Sequence, residues 1–137
     1  MLLQASCVAI AGRALLIMGE PGSGKSSLAL ALIDRGALLI GDDGVTLESR
    51  GGQLFASPPP NTMGLLEVRN VGLVGYSTAA DVPVALAVKL EHTAPRFIDT
   101  ATALHLGEQI VPLVSLWPDS PVLPLRAEAA LAKYGLP

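Results

Sequence analysis

Residues 19–26 read Gly-Glu-Pro-Gly-Ser-Gly-Lys-Ser, which matches the G-x-x-x-x-G-K-[ST] pattern of a phosphate-binding loop. An apolar run at residues 14–18 precedes the loop, and residues 27–33 follow it with an apolar pattern typical of a helix. A strand, a glycine-rich loop and a helix in this order place a bound phosphate at the positive end of the helix dipole. The stretch therefore predicts an α/β fold that binds a nucleoside triphosphate.

Each residue type in this loop has a physical task. Gly22 and Gly24 allow a tight turn that brings backbone N–H groups close to phosphate oxygens. Lys25 supplies positive charge to the β- and γ-phosphates, and the Ser26 hydroxyl can ligate Mg²⁺. We expect ATP and Mg²⁺ to bind here.

The composition restricts the class of protein. The chain has 137 residues, enough for one domain with a single sizeable core, and it is half hydrophobic and 15% charged. That apolar balance predicts surface buried between subunits of a homo-oligomer. No apolar stretch is long enough for a membrane span, and no basic leader precedes the first apolar residues. A net charge of −3 without a basic stripe argues against nucleic-acid binding. Cys7 is the only cysteine, so we expect a cytoplasmic protein without an internal disulfide.

Short apolar segments separated by Gly, Pro and Asp predict many strands and few helices. The proline-rich segment 57–62 is predicted to be a surface loop because proline cannot join a strand ladder. The predicted strands are 6–10, 13–18, 37–40, 45–47, 53–56, 65–68, 71–74, 82–90 and 110–116, and the predicted helices are 25–34 and 126–134.

Three acidic residues outside the loop are candidates for chemistry. Asp42 and Asp43 follow an apolar strand, where open α/β sheets present residues to a ligand. Side chains alternate along a strand, so only one of this pair is expected to face the phosphates. A general base and an inert Asp-Asp-Gly turn are equally compatible with this pattern. Glu67 and Arg69 are predicted to share one face of a strand, as ligands of Mg²⁺ and phosphate or as a solvent-facing ion pair.

Together these motifs resemble the HPr kinase/phosphorylase catalytic domain. The similarity rests on the phosphate-binding loop, on Asp42-Asp43, and on the segment Leu66-Glu67-Val68-Arg69-Asn70-Val71-Gly72-Leu73, which resembles an L-E-[IV]-R-G-x-G-[IL] signature. The resemblance is specific over residues 4–74. It implies a single P-loop kinase domain over 1–137, with mixed β-sheets around the loop helix and a phosphoenolpyruvate-carboxykinase-like nucleotide-binding core. It also implies an ATP-dependent kinase that phosphorylates a serine of an HPr-like phosphocarrier protein.

The resemblance also implies roles for individual residues. Asp42 would be the base that accepts the serine proton, with Lys25 catalytic and Ser26 and Glu67 the protein ligands of Mg²⁺. Arg96, which follows the long strand 82–90, would be a further catalytic residue. The nucleotide would be bound by Gly19, Glu20, Pro21, Gly22, Ser23, Gly24, Lys25, Ser26 and Ser27.

The sequence departs from the family pattern at several places. Gln4 stands fifteen positions before Gly19, where the family has a catalytic His, and glutamine cannot shuttle a proton near neutral pH. Asn70 replaces a signature glycine, and residues 111–116 lack the basic side chains linked to the dephosphorylating activity. We also expect the N-terminal domain of the longer members to be lacking. We therefore expect kinase activity without phosphorylase activity. A catalytically impaired nucleotide sensor or assembly module and a small-molecule kinase stay open as alternatives.

Overall fold

The computed structural model describes residues 1–137 as eleven strands and two helices. Neither helix is long and apolar enough to cross a membrane. The elements are β1 (Leu2–Leu3), β2 (Ser6–Ile10), β3 (Arg13–Gly19), α1 (Lys25–Asp34), β4 (Leu38–Gly41), β5 (Val45–Arg50), β6 (Gln53–Ser57), β7 (Leu65–Val68), β8 (Gly72–Gly75), β9 (Val82–Leu90), β10 (Thr102–Leu106), β11 (Gln109–Leu116) and α2 (Leu123–Tyr134).

Strand β9 holds the main sheet together. Nine strands form this sheet in the order β1-β5-β6-β9-β3-β2-β4, while β11 pairs with β9 and β10 pairs with β11. The first residues of β9 pair antiparallel with β6, and the remainder pairs parallel with β3 on one side and β11 on the other. Strands β7 and β8 form a separate hairpin. The predicted α/β fold with mixed strand directions is confirmed.

The core lies on both faces of the central strands. In β3, Leu15 and Ile17 belong to a cluster that includes residues of both helices. Ala14 and Leu16, on the opposite face, belong to a second cluster with residues of β5 and β6. All four are fully buried. This two-sided burial explains why the central strands are continuously apolar and show no hydrophobic alternation.

Helix α1 has the predicted bounds, and its end shows why Gly36 is required. Gly36 has φ +109°, in the left-handed region that glycine adopts without strain. Its N–H donates to the carbonyl of Ile33, and the N–H of Ala37 donates to the carbonyl of Leu32. This Schellman arrangement satisfies two carbonyls that the helix leaves free.

The structure differs from the predicted elements at several boundaries. Helix α2 begins at Leu123, three residues before the predicted start. The helix can include the proline in its first turn, because the N–H groups of a first turn have no partner within the helix and the one that proline lacks is therefore not missed. Strand β8 is shifted by one residue from the prediction, because Val71 belongs to the preceding turn: Asn70 has φ +69°, and the N–H of Val71 donates to the carbonyl of Val68. Strands β1 and β10 were not predicted. Their pairing partners, β5 and β11, supply the stabilising contacts, which local sequence does not reveal.

Candidate active site

Three parallel strands end side by side at one edge of the sheet, here called the carboxyl edge. Gly19 at the end of β3 is the register partner of Leu90 at the end of β9. Leu90 is in turn the partner of Leu116 at the end of β11. The phosphate-binding loop follows β3 and leads into α1, so it lies at this edge. Open α/β sheets bind their ligands outside the carboxyl ends of their strands.

The backbone of the loop depends on its glycines. A Cβ at Gly19 would lie 2.5 Å from the Ser23 hydroxyl, so any larger residue would displace the loop. Gly24, with φ +103°, is the N-cap of α1. The first N–H groups of a helix have no partner within the helix and are free to bind an anion. Lys25 lies over the loop, where its Nζ donates to the carbonyls of Gly19 (2.9 Å) and Glu20 (3.1 Å).

A cavity of about 430 Å³ opens in front of the loop. We call it the phosphate cavity; no hydrophobic residue lines it, which suits a charged ligand. Its lining residues are Ser6, Pro21, Gly22, Gly24, Lys25, Ser26, Ser27, Asp42, Asp43, Glu67 and Arg69. Six of the nine predicted nucleotide-binding residues are among them. The other three, Gly19, Glu20 and Ser23, do not line the cavity.

The carboxylate of Asp42 accepts three hydrogen bonds at the centre of the phosphate cavity. Its Oδ1 accepts from the Ser26 hydroxyl at 2.6 Å and from the Ser6 hydroxyl at 3.1 Å. Its Oδ2 accepts from the backbone N–H of Glu67 at 2.9 Å. Donors from β2, α1 and β7 thus fix the orientation of a single carboxylate. This arrangement joins the phosphate-binding loop to the Leu66–Leu73 segment.

Ser6 is a site residue that the sequence reasoning missed. It is 1% exposed and is the only buried polar or charged side chain of the chain. The register between β2 and β4 shifts from Val8–Leu39 to Cys7–Gly41, which leaves Ile40 as an extra residue. This β-bulge advances β4 by one position and brings Asp42 opposite Ser6. The available signal was a lone serine in an apolar strand, and it does not indicate a partner thirty-six residues away.

The remaining predicted acidic residues also reach the phosphate cavity. Asp43 lines it together with Asp42, so the expectation that only one of this pair faces the phosphates is wrong. Strand alternation does not apply, because β4 ends at Gly41 and Asp43 has φ +57°, in the left-handed region that Asp tolerates. Glu67 and Arg69 line the cavity, whereas Leu66 is fully buried in the core and Val68 packs against the same core cluster. The alternation predicted for β7 is therefore confirmed. It places Glu67 on the cavity side together with Asp42 and Ser26.

These oxygens fit a magnesium ion that is shared with phosphate. The chain has no group of three or more His, Cys, Asp and Glu side chains arranged to hold a metal by themselves. Mg²⁺ is usually held by one or two carboxylates together with substrate phosphates and water. The Ser26 hydroxyl, the Asp42 carboxylate and the lining residue Glu67 provide that kind of partial donor set.

Two further residues that the sequence singled out, Gln4 and Arg96, also lie outside the phosphate cavity. Gln4 is exposed between β1 and β2 and does not line it. Arg96 lines a second cavity of about 340 Å³. This second cavity, which we call the Trp117 cavity, is lined by Pro95, Arg96, Ser115, Leu116, Trp117 and Arg126. The Ser115 hydroxyl donates to Glu91, and this hydrogen bond is the largest contribution that lowers the pKa of the Glu91 carboxyl.

Comparison with known proteins gave concordant results. The family model of the HPr Serine kinase C-terminal domain matches residues 1–104. The HPr kinase/phosphorylase of Clostridium beijerinckii is 45% identical over 71 residues, which are 52% of this chain and 24% of that protein. That of Clostridium tetani is 40% identical over 82 residues, or 60% of this chain and 27% of that protein. The matched part thus spans about a quarter of these curated relatives.

A solved structure extends the similarity to nearly the whole chain. The Hpr(Ser) kinase/phosphatase from Coxiella burnetii is similar with a TM-score of 0.85 and 27% sequence identity. The alignment covers 96% of this chain and 88% of that one. The similarity in fold thus extends past residue 104, where the family model ends, into the part of the chain that contains β11 and α2.

Proposed function

We propose a protein-serine kinase function for this chain, which belongs to the HPr serine kinase C-terminal domain family. In this proposal residues 1–137 act as one P-loop kinase domain built on a phosphoenolpyruvate-carboxykinase-like nucleotide-binding core. The domain transfers the γ-phosphoryl group of ATP to a serine hydroxyl of an HPr-like phosphocarrier protein. The observation that supports this most strongly is the oriented Asp42 carboxylate in a cavity lined by the phosphate-binding loop.

The first part of the mechanism is the placement of the triphosphate. Free N–H groups at the start of α1 and the ammonium of Lys25 balance the phosphate charge. Lys25 would exchange its present acceptors, the carbonyls of Gly19 and Glu20, for phosphate oxygens. Ser26 and Glu67 would hold Mg²⁺, which when bound supplies positive charge next to the phosphates. Phosphoryl transfer depends mostly on such positioning and charge neutralisation.

The second part is the removal of the serine proton by Asp42. A carboxylate fixed by three donors keeps one orientation, which a general base needs because it must be within hydrogen-bond reach of the proton. Ser6 and the Glu67 N–H would maintain this orientation, and the Ser26 hydroxyl can donate to Asp42 while its oxygen keeps lone pairs that would hold Mg²⁺. Asp42 would then donate its acquired proton to solvent after the product leaves.

The β7–β8 hairpin supports a protein as the phosphoacceptor. This hairpin presents Glu67 and Arg69 to the phosphate cavity, and its other side chains include exposed apolar residues. Val71 is 71% exposed and Leu73 is 69% exposed. Neighbouring exposed apolar side chains mark surfaces that bind other proteins. The same apolar character supports assembly of this chain into a homo-oligomer.

A transfer assay tests the proposal. The protein is incubated with γ-labelled ATP, Mg²⁺ and a phosphocarrier protein, and labelled serine is measured. Loss of a general base lowers rates by about 10²- to 10⁴-fold, so we expect Asp42→Asn to lower transfer by at least about 100-fold. Asp43→Asn tests the neighbouring carboxylate, and Asp34→Asn, at the exposed end of α1, is the control without expected effect.

Each alternative predicts a different outcome of this assay. Transfer that survives Asp42→Asn would exclude Asp42 as the base. Nucleotide binding without transfer to any protein would favour a sensor or assembly module, and transfer to a metabolite alone would favour a small-molecule kinase.

Arg96 is retained as a catalytic candidate although it lines the Trp117 cavity. Arg96→Ala should lower kcat if the residue reaches the transferred phosphoryl group during the reaction.

We also propose that the reverse, dephosphorylating reaction is missing. Residues 111–116 lie within β11, where they contribute no basic side chain to the phosphate cavity. Gln4 cannot replace a proton-shuttling histidine. Serine-phosphorylated phosphocarrier incubated with inorganic phosphate should therefore keep its label. The variant Gln4→His tests whether this position limits turnover, and an increased rate of either reaction would assign the limitation to Gln4.

A further inference from the structure

The Trp117 cavity lies beside the phosphate-binding loop at the carboxyl edge. The ends of β3, β9 and β11 are consecutive neighbours through the pairs Gly19–Leu90 and Leu90–Leu116. Trp117 directly follows β11. Neighbouring strands are about 4.8 Å apart, so Trp117 begins about 10 Å from the loop across the sheet. A ligand with its phosphates on the loop can extend along this edge.

The indole of Trp117 is held in place with part of its surface open. Its Nε1 donates to the carbonyl of Ala94 at 2.6 Å, and the residue is 40% exposed. The guanidinium of Arg126 lies 5.8 Å from the ring centroid. Aromatic rings and guanidinium planes are the groups on which proteins stack nucleobases. The cavity volume, about 340 Å³, is within the range of small-molecule sites.

The two arginines of the cavity have no acidic partner. Neither Arg96 nor Arg126 forms an ion pair or a side-chain hydrogen bond, whereas Arg35 pairs with Glu128. Glu91, which contacts the cavity wall through Ser115, also accepts a hydrogen bond from Thr93. The guanidinium groups therefore have free donors for the acceptor atoms of a base or for a phosphate oxygen.

We propose that the Trp117 cavity binds the nucleobase of the nucleotide whose phosphates lie on residues 19–26. The base stacks on Trp117 next to Arg126, and the ribose spans the end of β9. This proposal rests on the nucleotide binding in the proposed function and adds where the base is recognised. It accounts for the pairing of Trp117 with Arg126 at the carboxyl edge, which phosphoryl transfer itself does not require.

Trp117 is the only tryptophan of the chain, so the unmodified protein reports on its own site. Binding of ATP should quench the tryptophan fluorescence, and binding of inorganic tripolyphosphate should not. Stacking is worth about 1–3 kcal/mol per base, which corresponds to about 5- to 150-fold in affinity. Calorimetry should therefore show that Trp117→Leu weakens ATP binding by about 5- to 150-fold and leaves tripolyphosphate binding unchanged. Arg126→Ala should act in the same direction, and Lys133→Ala on the same helix is the matched control.

The two proposals fail in different ways in this experiment. If tripolyphosphate does not bind, or if Lys25→Ala does not weaken its binding, the phosphate site itself is wrong. If tripolyphosphate binds through Lys25 while ATP binds no more tightly and leaves the fluorescence unchanged, the base-binding proposal is overturned. Circular dichroism of each variant verifies that the fold is retained, and Trp117→Phe, which keeps an aromatic face, should restore most of the affinity for ATP.

Discussion

Replacement of Ser6 by alanine tests whether the buried hydroxyl orients Asp42. The side chain is 1% exposed and its Oγ donates to Asp42 Oδ1 at 3.1 Å. Hydrogen bonds to charged groups contribute about 1.5–3 kcal/mol. Ser26 donates to the same oxygen at the shorter distance of 2.6 Å, so we assign the Ser6 bond the lower value, about 1.5 kcal/mol. For a chain of this size, that loss lowers Tm by about 5 °C.

A double-mutant cycle isolates this interaction. Urea unfolding followed by circular dichroism gives the free energy of unfolding for wild type, Ser6→Ala, Asp42→Ala and the double variant. In the Asp42→Ala background the Ser6 hydroxyl is buried without an acceptor, so its removal should cost little or stabilise the fold. The expected coupling energy is therefore at least about 1.5 kcal/mol.

The result that refutes this reasoning is additivity. If the two single substitutions add to within about 0.5 kcal/mol, Ser6 and Asp42 do not interact measurably and Ser6 does not position the carboxylate. Ser49→Ala is the matched control, because that serine is exposed and only accepts a hydrogen bond from Gln109. It should change the free energy of unfolding by less than about 0.5 kcal/mol.

Three further predictions concern stability and reactivity. Gly41→Ala should lower the free energy of unfolding by about 2 kcal/mol or more, because the new Cβ would lie 2.0 Å from the carbonyl oxygen of Gly44. The control is Gly75→Ala, whose Cβ would lie 3.9 Å from the nearest atom and which should be neutral in the same urea titration. The hydrogen bond from the Ser115 hydroxyl is the main cause of the lowered pKa of the Glu91 carboxyl. The ionised carboxylate therefore stabilises the folded state above the pKa that Glu91 has in the unfolded chain. This stabilisation is lost as the pH falls through the pKa of Glu91 in the folded state. Ser115→Ala should therefore be less stable than wild type at about pH 7 and equally stable at about pH 2.5, and an unchanged difference between the two urea midpoints would contradict this assignment. Burial raises the pKa of the Cys7 thiol and limits access to it. Thiol reagents should therefore label Cys7 at least about 100-fold more slowly in the folded protein than in denaturant. Fast labelling of the folded protein would show that β2 opens.

The local pattern of the sequence was sufficient for the loop and for most elements. Residues 19–26 predict the strand, loop and helix because each step depends on neighbours within a few positions, and α1 has the bounds that its sequence predicted. The prediction of β9 succeeded for a related reason, since the uninterrupted apolar run 82–88 is typical of a strand that is buried on both faces. Alternation along β7 correctly placed Glu67 and Arg69 on one side.

The same local patterns could not predict contacts between distant segments. Nothing near Asp42 in the sequence indicates whether it or Asp43 receives donors, because these come from β2, α1 and β7. The resemblance implied a catalytic role for Arg96, which follows β9, yet in the structure Arg96 lines the Trp117 cavity and not the phosphate cavity. The short strands β1 and β10 were missed because their stability comes from their partners.

The sequence alone thus predicted a glycine-rich loop suited to phosphate, because loop and helix geometry depend on local backbone freedom and on unpaired N–H groups. Only the tertiary structure decided which side chains surround that loop. The bulge at Ile40 sets Asp42 opposite Ser6, and the parallel ends of β9 and β11 set Trp117 beside the loop. Both placements depend on strand register, which is fixed by the packing of the whole sheet and not by any one segment.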